Sequence, residues 1–267
     1  MQGKADEVRR YAVRVFYDGR GYYGFQPQKD KPTVGGAIIK ALLDSGLISD
    51  PKEFKFGAAS RTDRGVSALA QTIAFNTKEK FTVGRLNAYL PADIRAWAWR
   101  EVPLNFNPRK AALERVYLYT VPYHGENLEP MLEASKLLTS SEVLNYGFKP
   151  LRRIEINLVG EFLVFRFAAK GFTRGFIRRL VSALLKVGSG RIRLEEFTDR
   201  LRSEGLSRLG LPLVRSEPLM LLWVDYGFSF NIEAKVVEEI IDKVSLEASR
   251  LWTLKECLKT LSGTIRV

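Results

Sequence analysis

The segment SRTDRGVSALAQ, residues 60–71, places one carboxylate between two guanidinium groups. Asp63 lies between Arg61 and Arg64, and Gly65 follows directly. Such neighbours suit an aspartate that must stay ionised in an enclosed site, because burial raises the pKa of a carboxyl group and a nearby positive charge lowers it. The same residues are also typical of a surface turn. The segment therefore predicts either a reactive carboxylate on a loop or an ordinary charged turn.

Two scarce residue types limit the chemistry open to this chain. His124 is the only histidine and Cys257 the only cysteine among 267 residues. One chain therefore cannot build a Cys/His zinc site, a disulfide framework or a catalytic pair of histidines. The stretch around His124, PYHGENLEP, indicates a loop, and the helical pattern LKECLKTL predicts that Cys257 is a buried core thiol. An enzyme built from this chain would use carboxylates, tyrosines, arginines and lysines.

The charge of the chain indicates a polyanionic partner. The formal net charge is +12 and the pI is about 9.8, and residues 149–193 carry eleven basic side chains against two acidic ones. Nucleic acid is the commonest partner of so basic a chain. An anionic membrane surface is the alternative, but there is no lipidation signal and no apolar run near the roughly 20 residues that a membrane span requires. The opening MQGKADEVRR lacks the apolar core of a signal peptide, so we expect a cytoplasmic protein.

The stretch GRGYYG, residues 19–24, matches the G-x-G-x-x-G pattern of dinucleotide-binding loops. That pattern requires a helix to begin at the loop, whereas YYGFQPQ is aromatic and is closed by Pro27. We therefore reject the interpretation of this stretch as a dinucleotide-binding motif, and with it the prediction of an oxidoreductase. Three aromatic residues of the segment, Tyr22, Tyr23 and Phe25, are expected to be exposed, where they could stack on bases.

Periodicity predicts strands and helices in irregular alternation. Strands are predicted at 11–19, 54–60, 71–77, 94–102, 115–123 and 219–227, with a hairpin over 153–171 that turns near Gly160. Helices are predicted from the cap Thr33 to about Leu47, from the cap Thr82 through Tyr89, at 128–138, 172–188 and 195–203, and as more than one terminal helix from Ala234 onward. The pattern pauses between Pro103 and Pro108, which divides the chain into an N-terminal half, 1–103, and a C-terminal half, 104–267. The fold class expected is α+β with a largely antiparallel sheet.

Two further function classes can be weighed against the residues. A metal-dependent nuclease needs clustered carboxylates, but Glu53 is the only acidic residue within ten positions of Asp63, so we expect no metal site. A non-catalytic RNA-binding protein would keep the basic stretch and would not depend on Asp63. That alternative stays open from composition alone.

Several blocks, in order, resemble the tRNA pseudouridine synthase A family along essentially the whole chain. FYDGRGYYGFQPQ resembles the opening strand and glycine loop of the family, ASRTDRGVSALAQ its catalytic loop, and LNAYLPADIRAW the segment that follows. RVYLYTV is similar to its tyrosine strand, FTRGFIRRLVSALLKVGSGR to its long basic helix, and SEPLMLLWVDY to a late strand. The stretch 124–150 matches poorly, which leaves the breadth of substrates open.

The resemblance implies an isomerase that converts uridine to pseudouridine in the anticodon arm of tRNA. It also implies two α/β halves around one continuous sheet with a central cleft, a homodimer and no cofactor. By position in the motifs, Asp63 matches the catalytic aspartate, Tyr117 the tyrosine that lies against the target base, and Arg178 the basic residue that pairs with the aspartate. Arg61 matches the arginine that holds the base out of the stack. The basic residues Arg64, Arg174, Arg179 and Lys186 are expected to contact tRNA.

Two residues depart from the pattern of the family, since Ser67 and Asn107 stand where histidine is frequent. Neither replacement removes a group that the reaction requires. The residues also leave the role of Asp63 open: it could attack the base, attack C1′ of the ribose, or remove a proton at C2′. Because Arg178 comes from the second half of the chain, we expect the active site to lie between the halves.

Overall fold

The structure, a computed structural model, describes residues 7–141, 151–204 and 212–264. Its strands are β1 Arg9–Tyr17, β2 Gly57–Ala58, β3 Ser67–Thr77, β4 Ile94–Val102, β5 Glu114–Pro122, β6 Arg153–Val159, β7 Phe162–Ala169, β8 Leu219–Asp225 and β9 Asn231–Ile232. Its helices are α1 Val34–Asp44, α2 Val83–Asn87, α3 Leu128–Thr139, α4 Phe176–Gly188, α5 Leu194–Glu204 and α6 Ala234–Thr264.

One sheet runs through the whole molecule in the order β6-β7-β5-β8-β3-β1-β4-β9, with β2 paired to β3. The pairings within the described residues are antiparallel except that of β3 with β8, which is parallel. The α+β class and the largely antiparallel sheet expected from the sequence are therefore confirmed.

The parallel pair β3–β8 lies in the middle of the sheet, with β5, β7 and β6 on one side and β1, β4 and β9 on the other. Ser67 lies opposite Met220 and Ala68 opposite Leu221, so the start of β3 meets the start of β8. The segment 60–66 leads directly into β3, and this places the Arg-Thr-Asp-Arg loop at the seam. At the far edge, β9 pairs with β4 through Ala98 and Ile232, and α6 then begins.

Local side-chain chemistry explains where the first two helices start. The hydroxyl of Thr33 accepts a hydrogen bond from the backbone N–H of Gly36, and that of Thr82 accepts one from Arg85. Each threonine thereby satisfies an amide at the helix N-terminus that has no partner inside the helix, so both predicted caps are confirmed. The helix α1 ends at Asp44, three residues before the predicted end.

A large core fills one face of the sheet, where α1, α3 and α4 pack against the strands. On α4, Leu180 and Leu184 are fully buried and Val187 nearly so, as the apolar stripe of this segment predicts. A smaller cluster lies on the opposite face around Phe16 and Trp97, and the first turns of α6 cover it through Ile240.

Three expectations from the sequence are wrong. The terminal segment is one helix, α6, rather than several, and Cys257 is exposed on it. The apolar contacts of α6 with the sheet come from its first turns, so a residue near its C-terminal end has no core to enter. Tyr22 and Phe25 are buried, and only Tyr23 of the three loop aromatics is exposed. The two buried rings pack into the core below the loop, where apolar area is removed from water.

His124 is an exposed residue in the connection after β5, as predicted. In the part of the chain that the structure describes, no helix is both long enough and apolar enough to cross a membrane.

Candidate active site

A cleft of about 1030 Å³ opens where the Asp63 loop, β5 and the entrance to α4 meet. Its walls come from both halves of the chain. Six of the residues predicted for the site line it: Arg61, Asp63, Arg64, Tyr117, Arg174 and Arg178. Residues that are 117 positions apart in the sequence thus border one space.

The charge of this cleft is strongly one-sided. Among the lining residues in the described part of the chain, Asp63 is the single carboxylate, and it is surrounded by basic side chains, namely Arg61, Arg64, Arg109, Lys110, Arg115, Lys170, Arg174 and Arg178. Such a concave, cationic surface attracts a polyanion, because a cleft lined by one sign of charge concentrates the electric field and raises the local concentration of counter-ions.

The Asp63 loop is fixed by hydrogen bonds on both sides of the aspartate. Thr62 accepts at its carbonyl from the N–H of Phe25 at 3.0 Å, and its hydroxyl lies 2.7 Å from the hydroxyl of the buried Tyr17. The N–H of Val66 donates to the carbonyl of Asp63 at 3.2 Å, which closes a turn. Gly65 has a φ of +80° in that turn, a conformation that favours glycine. The backbone conformation of this turn therefore explains why a glycine follows Arg64.

The glycines of the GRGYYG stretch serve this same loop. A Cβ atom at Gly19 would lie 2.0 Å from the carbonyl oxygen of Val66, and one at Gly24 would lie 2.8 Å from that of Thr62. Only glycine allows the two backbones to approach so closely. The GRGYYG stretch thus supports the Asp63 loop. This packing agrees with the prediction that the stretch is not a dinucleotide-binding loop.

The carboxylate of Asp63 is about one-quarter exposed, and its Oδ1 lies 3.6 Å from Nε of Arg174. The side chain of Arg174 is 93% exposed, so this ion pair contributes little to stability and leaves the guanidinium available to a ligand. Arg178 lines the same cleft, where its Nε donates to the carbonyl of Val214 at 2.7 Å. The pairing of Arg178 with Asp63 that the resemblance implies stays a prediction.

Tyr117 lies in the middle of β5 and presents its hydroxyl to the base of the Asp63 loop. Its OH is 2.7 Å from Oγ of Ser60, and its ring meets Phe172 edge-on with centroids 5.3 Å apart. Burial raises the pKa of Tyr117, so the phenol stays neutral across the physiological range. A neutral phenol beside a carboxylate can both stack on a base and pass a proton.

Arg115 was not among the predicted site residues, yet it joins three segments that border the cleft. It is buried, and its guanidinium donates to backbone carbonyls of Ala59 (2.7 Å from Nη2), Arg109 (2.8 Å) and Lys170. Burial lowers the pKa of Arg115. The signal available in the sequence was its place two positions before Tyr117, which puts both side chains on one face of the strand.

We expect Arg115→Met to destabilise the fold by about 2–4 kcal/mol, because three buried or partly buried carbonyls lose a charged donor. Arg115→Lys should lie between the wild type and the methionine variant, since an ammonium keeps the charge but not the fork of donors. Urea unfolding of the three proteins measures this. A methionine variant as stable as the wild type would show that water replaces the guanidinium at no cost.

Two predicted contact residues lie outside the cleft lining. Arg179 follows Arg178 on α4, and its Nη1 donates to the carbonyl of Arg174 at 3.1 Å. Lys186 lies in the last turn of α4, eight residues beyond Arg178, or about 12 Å along the helix. They can contact RNA only beyond the space that encloses Asp63.

The two departures from the family pattern have structural partners. The hydroxyl of Ser67 accepts from the N–H of Gly19 at 3.0 Å, which helps to hold the glycine loop against the Asp63 loop. The Oδ1 of Asn107 accepts from the N–H groups of Arg109 and Lys110 in the linker beside the cleft. Within the described residues, no group of three or more His, Cys, Asp or Glu side chains is placed to hold a metal ion.

This geometry allows one carboxylate to act as a nucleophile or to transfer a proton, with a neutral phenol in the same cleft and cations that can bind a polyanion. Comparison with known proteins agrees with that class. The family model described as tRNA pseudouridine synthase matches residues 141–227.

Similar proteins extend the match over most of the chain. The tRNA pseudouridine synthase A of Methanothermobacter thermautotrophicus is 34% identical over 235 residues, which covers 84% of each chain. That of Pyrococcus abyssi is 33% identical over 267 residues, which covers 93% of this chain and 100% of the other. The protein therefore belongs to the tRNA pseudouridine synthase A family and is an isomerase that converts uridine to pseudouridine.

Proposed function

We propose that the cleft isomerises uridine in the anticodon arm of tRNA and that Asp63 carries the chemistry. The observation that supports this most is the single carboxylate held by the 60–66 loop among basic lining residues, with Tyr117 on the neighbouring strand. A non-catalytic RNA-binding surface has no need for a rigidly positioned anion, which repels phosphate.

The reaction balances without any added group. The N1–C1′ bond of the nucleotide breaks, the freed uracil rotates, and C5 joins C1′. The hydrogen on C5 leaves as a proton and N1 gains one, so no electrons enter or leave the substrate. The enzyme must supply a group that stabilises or traps C1′ or the base, and a route for the proton. We infer that these are the tasks of Asp63 and Tyr117, and we propose no cofactor.

The target base must leave the helical stack to reach Asp63, since a stacked and paired nucleotide cannot enter an enclosed cleft. Arg61 is exposed at the cleft and precedes Asp63 by two residues. We propose that its guanidinium holds the extruded state, with Arg178 stabilising the negative charge of Asp63. The two halves, 1–103 and 104–267, would then act as the two walls of the site.

Two basic residues, Arg174 in the cleft lining and Lys186 outside it, should act through the phosphates. Replacing Arg174 or Lys186 by Gln should weaken tRNA binding and lower the slope of log affinity against log salt by about one unit for each phosphate that the variant no longer neutralises. Binding isotherms at several salt concentrations measure the slope. Lys40→Gln, on the exposed side of α1, is the matched control. Slopes equal to that of the control would place the RNA path elsewhere.

We propose that the protein is a cytoplasmic homodimer. In support, the part of α6 beyond its contacts with the sheet exposes several large apolar side chains, among them Leu246 at 74% and Trp252 at 65%. Exposed large apolar side chains in such number are typical of protein interfaces. Sedimentation at micromolar concentration should give twice the chain mass of 30.3 kDa, and Trp252→Glu should shift it toward the monomer. A wild-type monomer that modifies tRNA would contradict the proposal.

A separate experiment tests whether the enzyme is specific for the anticodon arm. Unmodified tRNA transcripts are incubated with the enzyme, and pseudouridine is mapped along each chain. We expect modification confined to uridines of the anticodon stem-loop, and retained in an isolated stem-loop of that sequence. Pseudouridine formed only in other arms would disprove the assignment of the arm and leave the isomerase activity intact.

A further inference from the structure

Tyr23 is the one aromatic residue of the 19–25 loop that is substantially exposed, at 36%, and it lines the cleft. Its neighbours Tyr22 and Phe25 are buried in the core, at 9% and 2%. Part of the Tyr23 ring therefore faces the cleft, where an aromatic surface can contact a ligand.

The backbone around Tyr23 is held in place. Its N–H donates to the carbonyl of Pro32 at 2.8 Å, and its own carbonyl accepts from Nε2 of Gln28 at 2.8 Å. Gln28 also forms a β-bridge with Lys31, which closes the turn. Gly24, the next residue, packs against the carbonyl of Thr62. Tyr23 is therefore fixed to the same support as the Asp63 loop.

Two cations lie near the ring of Tyr23. The guanidinium carbon of Arg64 is 4.4 Å from the ring centroid, and Nζ of Lys31 is 5.2 Å from it. Arg64 directly follows Asp63 in the chain and is exposed. Aromatic rings and guanidinium planes are the surfaces on which unpaired bases stack in RNA-binding sites. The amides of Gln26 and Gln28 also line the cleft, where they can meet the polar edge of a base.

We propose that Tyr23 and Arg64 form a second subsite, which takes an unpaired nucleobase adjacent in sequence to the flipped uridine. This subsite rests on the proposed function, because it presumes that the uridine enters beside Asp63. The cleft of about 1030 Å³ is at the upper end of the range of roughly 300–1,000 Å³ for pockets that enclose small ligands, so it has room beyond one base. A stacked neighbour would hold the splayed strand open and set which sequence contexts react.

The test is a double-mutant cycle, in which one change is made in the protein and the other in the RNA. Wild type, Tyr23→Leu and Tyr23→Phe are each assayed on an intact tRNA transcript and on transcripts with an abasic nucleotide directly 5′ or 3′ of the target uridine. Tyr89→Leu is the control, because Tyr89 is an exposed tyrosine outside the cleft lining. The readout is the ratio kcat/KM for pseudouridine formation.

For wild type, we expect one of the two abasic transcripts to lose roughly 5- to 160-fold in kcat/KM, the range associated with stacking on one base. Tyr23→Leu should show a similar loss on intact RNA and no further loss on that abasic transcript, while Tyr23→Phe should behave like wild type. Equal wild-type rates on all three RNAs would overturn the subsite, and so would losses that multiply in the leucine variant. Wild type inactive on intact tRNA would instead contradict the proposed function itself.

Discussion

Asp63→Asn is expected to abolish pseudouridine formation, with a fall in rate of at least about 10³-fold, within the range that a positioned proton-transfer group contributes. The amide keeps the shape of the side chain but is a poor nucleophile and a poor base. Affinity for tRNA should be nearly unchanged, because phosphate contacts dominate binding and a carboxylate makes none. Loss of the negative charge beside Arg174, 3.6 Å away, should if anything favour the polyanion.

The measurement is product formation at saturating enzyme, together with a binding isotherm and an unfolding curve for each variant. Asp63→Ala should match the asparagine variant in activity, since neither supplies a carboxylate. The control is Asp44→Asn, which removes a carboxylate from the exposed end of α1, where it pairs with Lys40. An active Asp63→Asn would reduce the loop to a charged surface turn.

Tyr117→Ala has the second largest expected effect. The ring forms part of the cleft wall against Phe172, and its removal takes away a stacking surface associated with about 1–3 kcal/mol per base. Each 1.36 kcal/mol is a factor of ten in rate, so a loss of up to about 160-fold in kcat/KM is expected from stacking alone. Truncating a buried aromatic also destabilises the fold by about 3–5 kcal/mol, so the assays must be run well below the unfolding temperature.

Two further variants separate the ring of Tyr117 from its hydroxyl. Tyr117→Phe keeps the ring and removes the OH, while Ser60→Ala keeps the OH and removes its hydrogen-bond partner 2.7 Å away. If the hydroxyl passes a proton, the phenylalanine variant loses rate and the alanine variant at Ser60 loses much less. Wild-type rates in both Tyr117 variants would mark Tyr117 as a residue of the core.

Local signals in the sequence predicted much of the secondary structure. Thr33 and Thr82 were recognisable as caps because their hydroxyls can reach an amide three residues ahead. Strand β4, Ile94–Val102, was predicted with its observed bounds, since it has a clear alternation and Pro91 ends the preceding segment. The two-residue strand β2 was predicted as a longer strand, 54–60, and β9 was not predicted, because the extent of so short a strand depends on its partner strand.

Buried arginines could not be predicted from the pattern. Arg14 sits at a polar position of a strand, yet it is 2% exposed, with its guanidinium carbon 3.6 Å from the ring centroid of Trp223 and 4.4 Å from that of Phe230. Burial lowers its pKa to about 10. These aromatic partners are more than 200 positions away in the chain, so only the tertiary fold shows why the charge is tolerated.

The site residues were predictable only in part. Motif resemblance placed Asp63, Tyr117 and Arg178 together, and the structure brings all three to one cleft. It could not show that Arg174 is the cation within 4 Å of Asp63, nor that Arg115 ties the loops together, because both depend on the path of the segment before α4. Arg179 and Lys186 lie on the same basic helix, α4, but they do not line the cleft.

The most direct test of the central claim follows the hydrogen on C5 of the target uracil. A tRNA transcript labelled with tritium at C5 of its uridines is incubated with wild type and with Asp63→Asn, each in excess over RNA and without any added cofactor. Joining C5 to C1′ must release that hydrogen, so wild type should release tritium to water in proportion to the uridines converted, and the variant should release none while binding the RNA equally well. Release by the asparagine variant at the wild-type rate, or no release by wild type, would contradict the account.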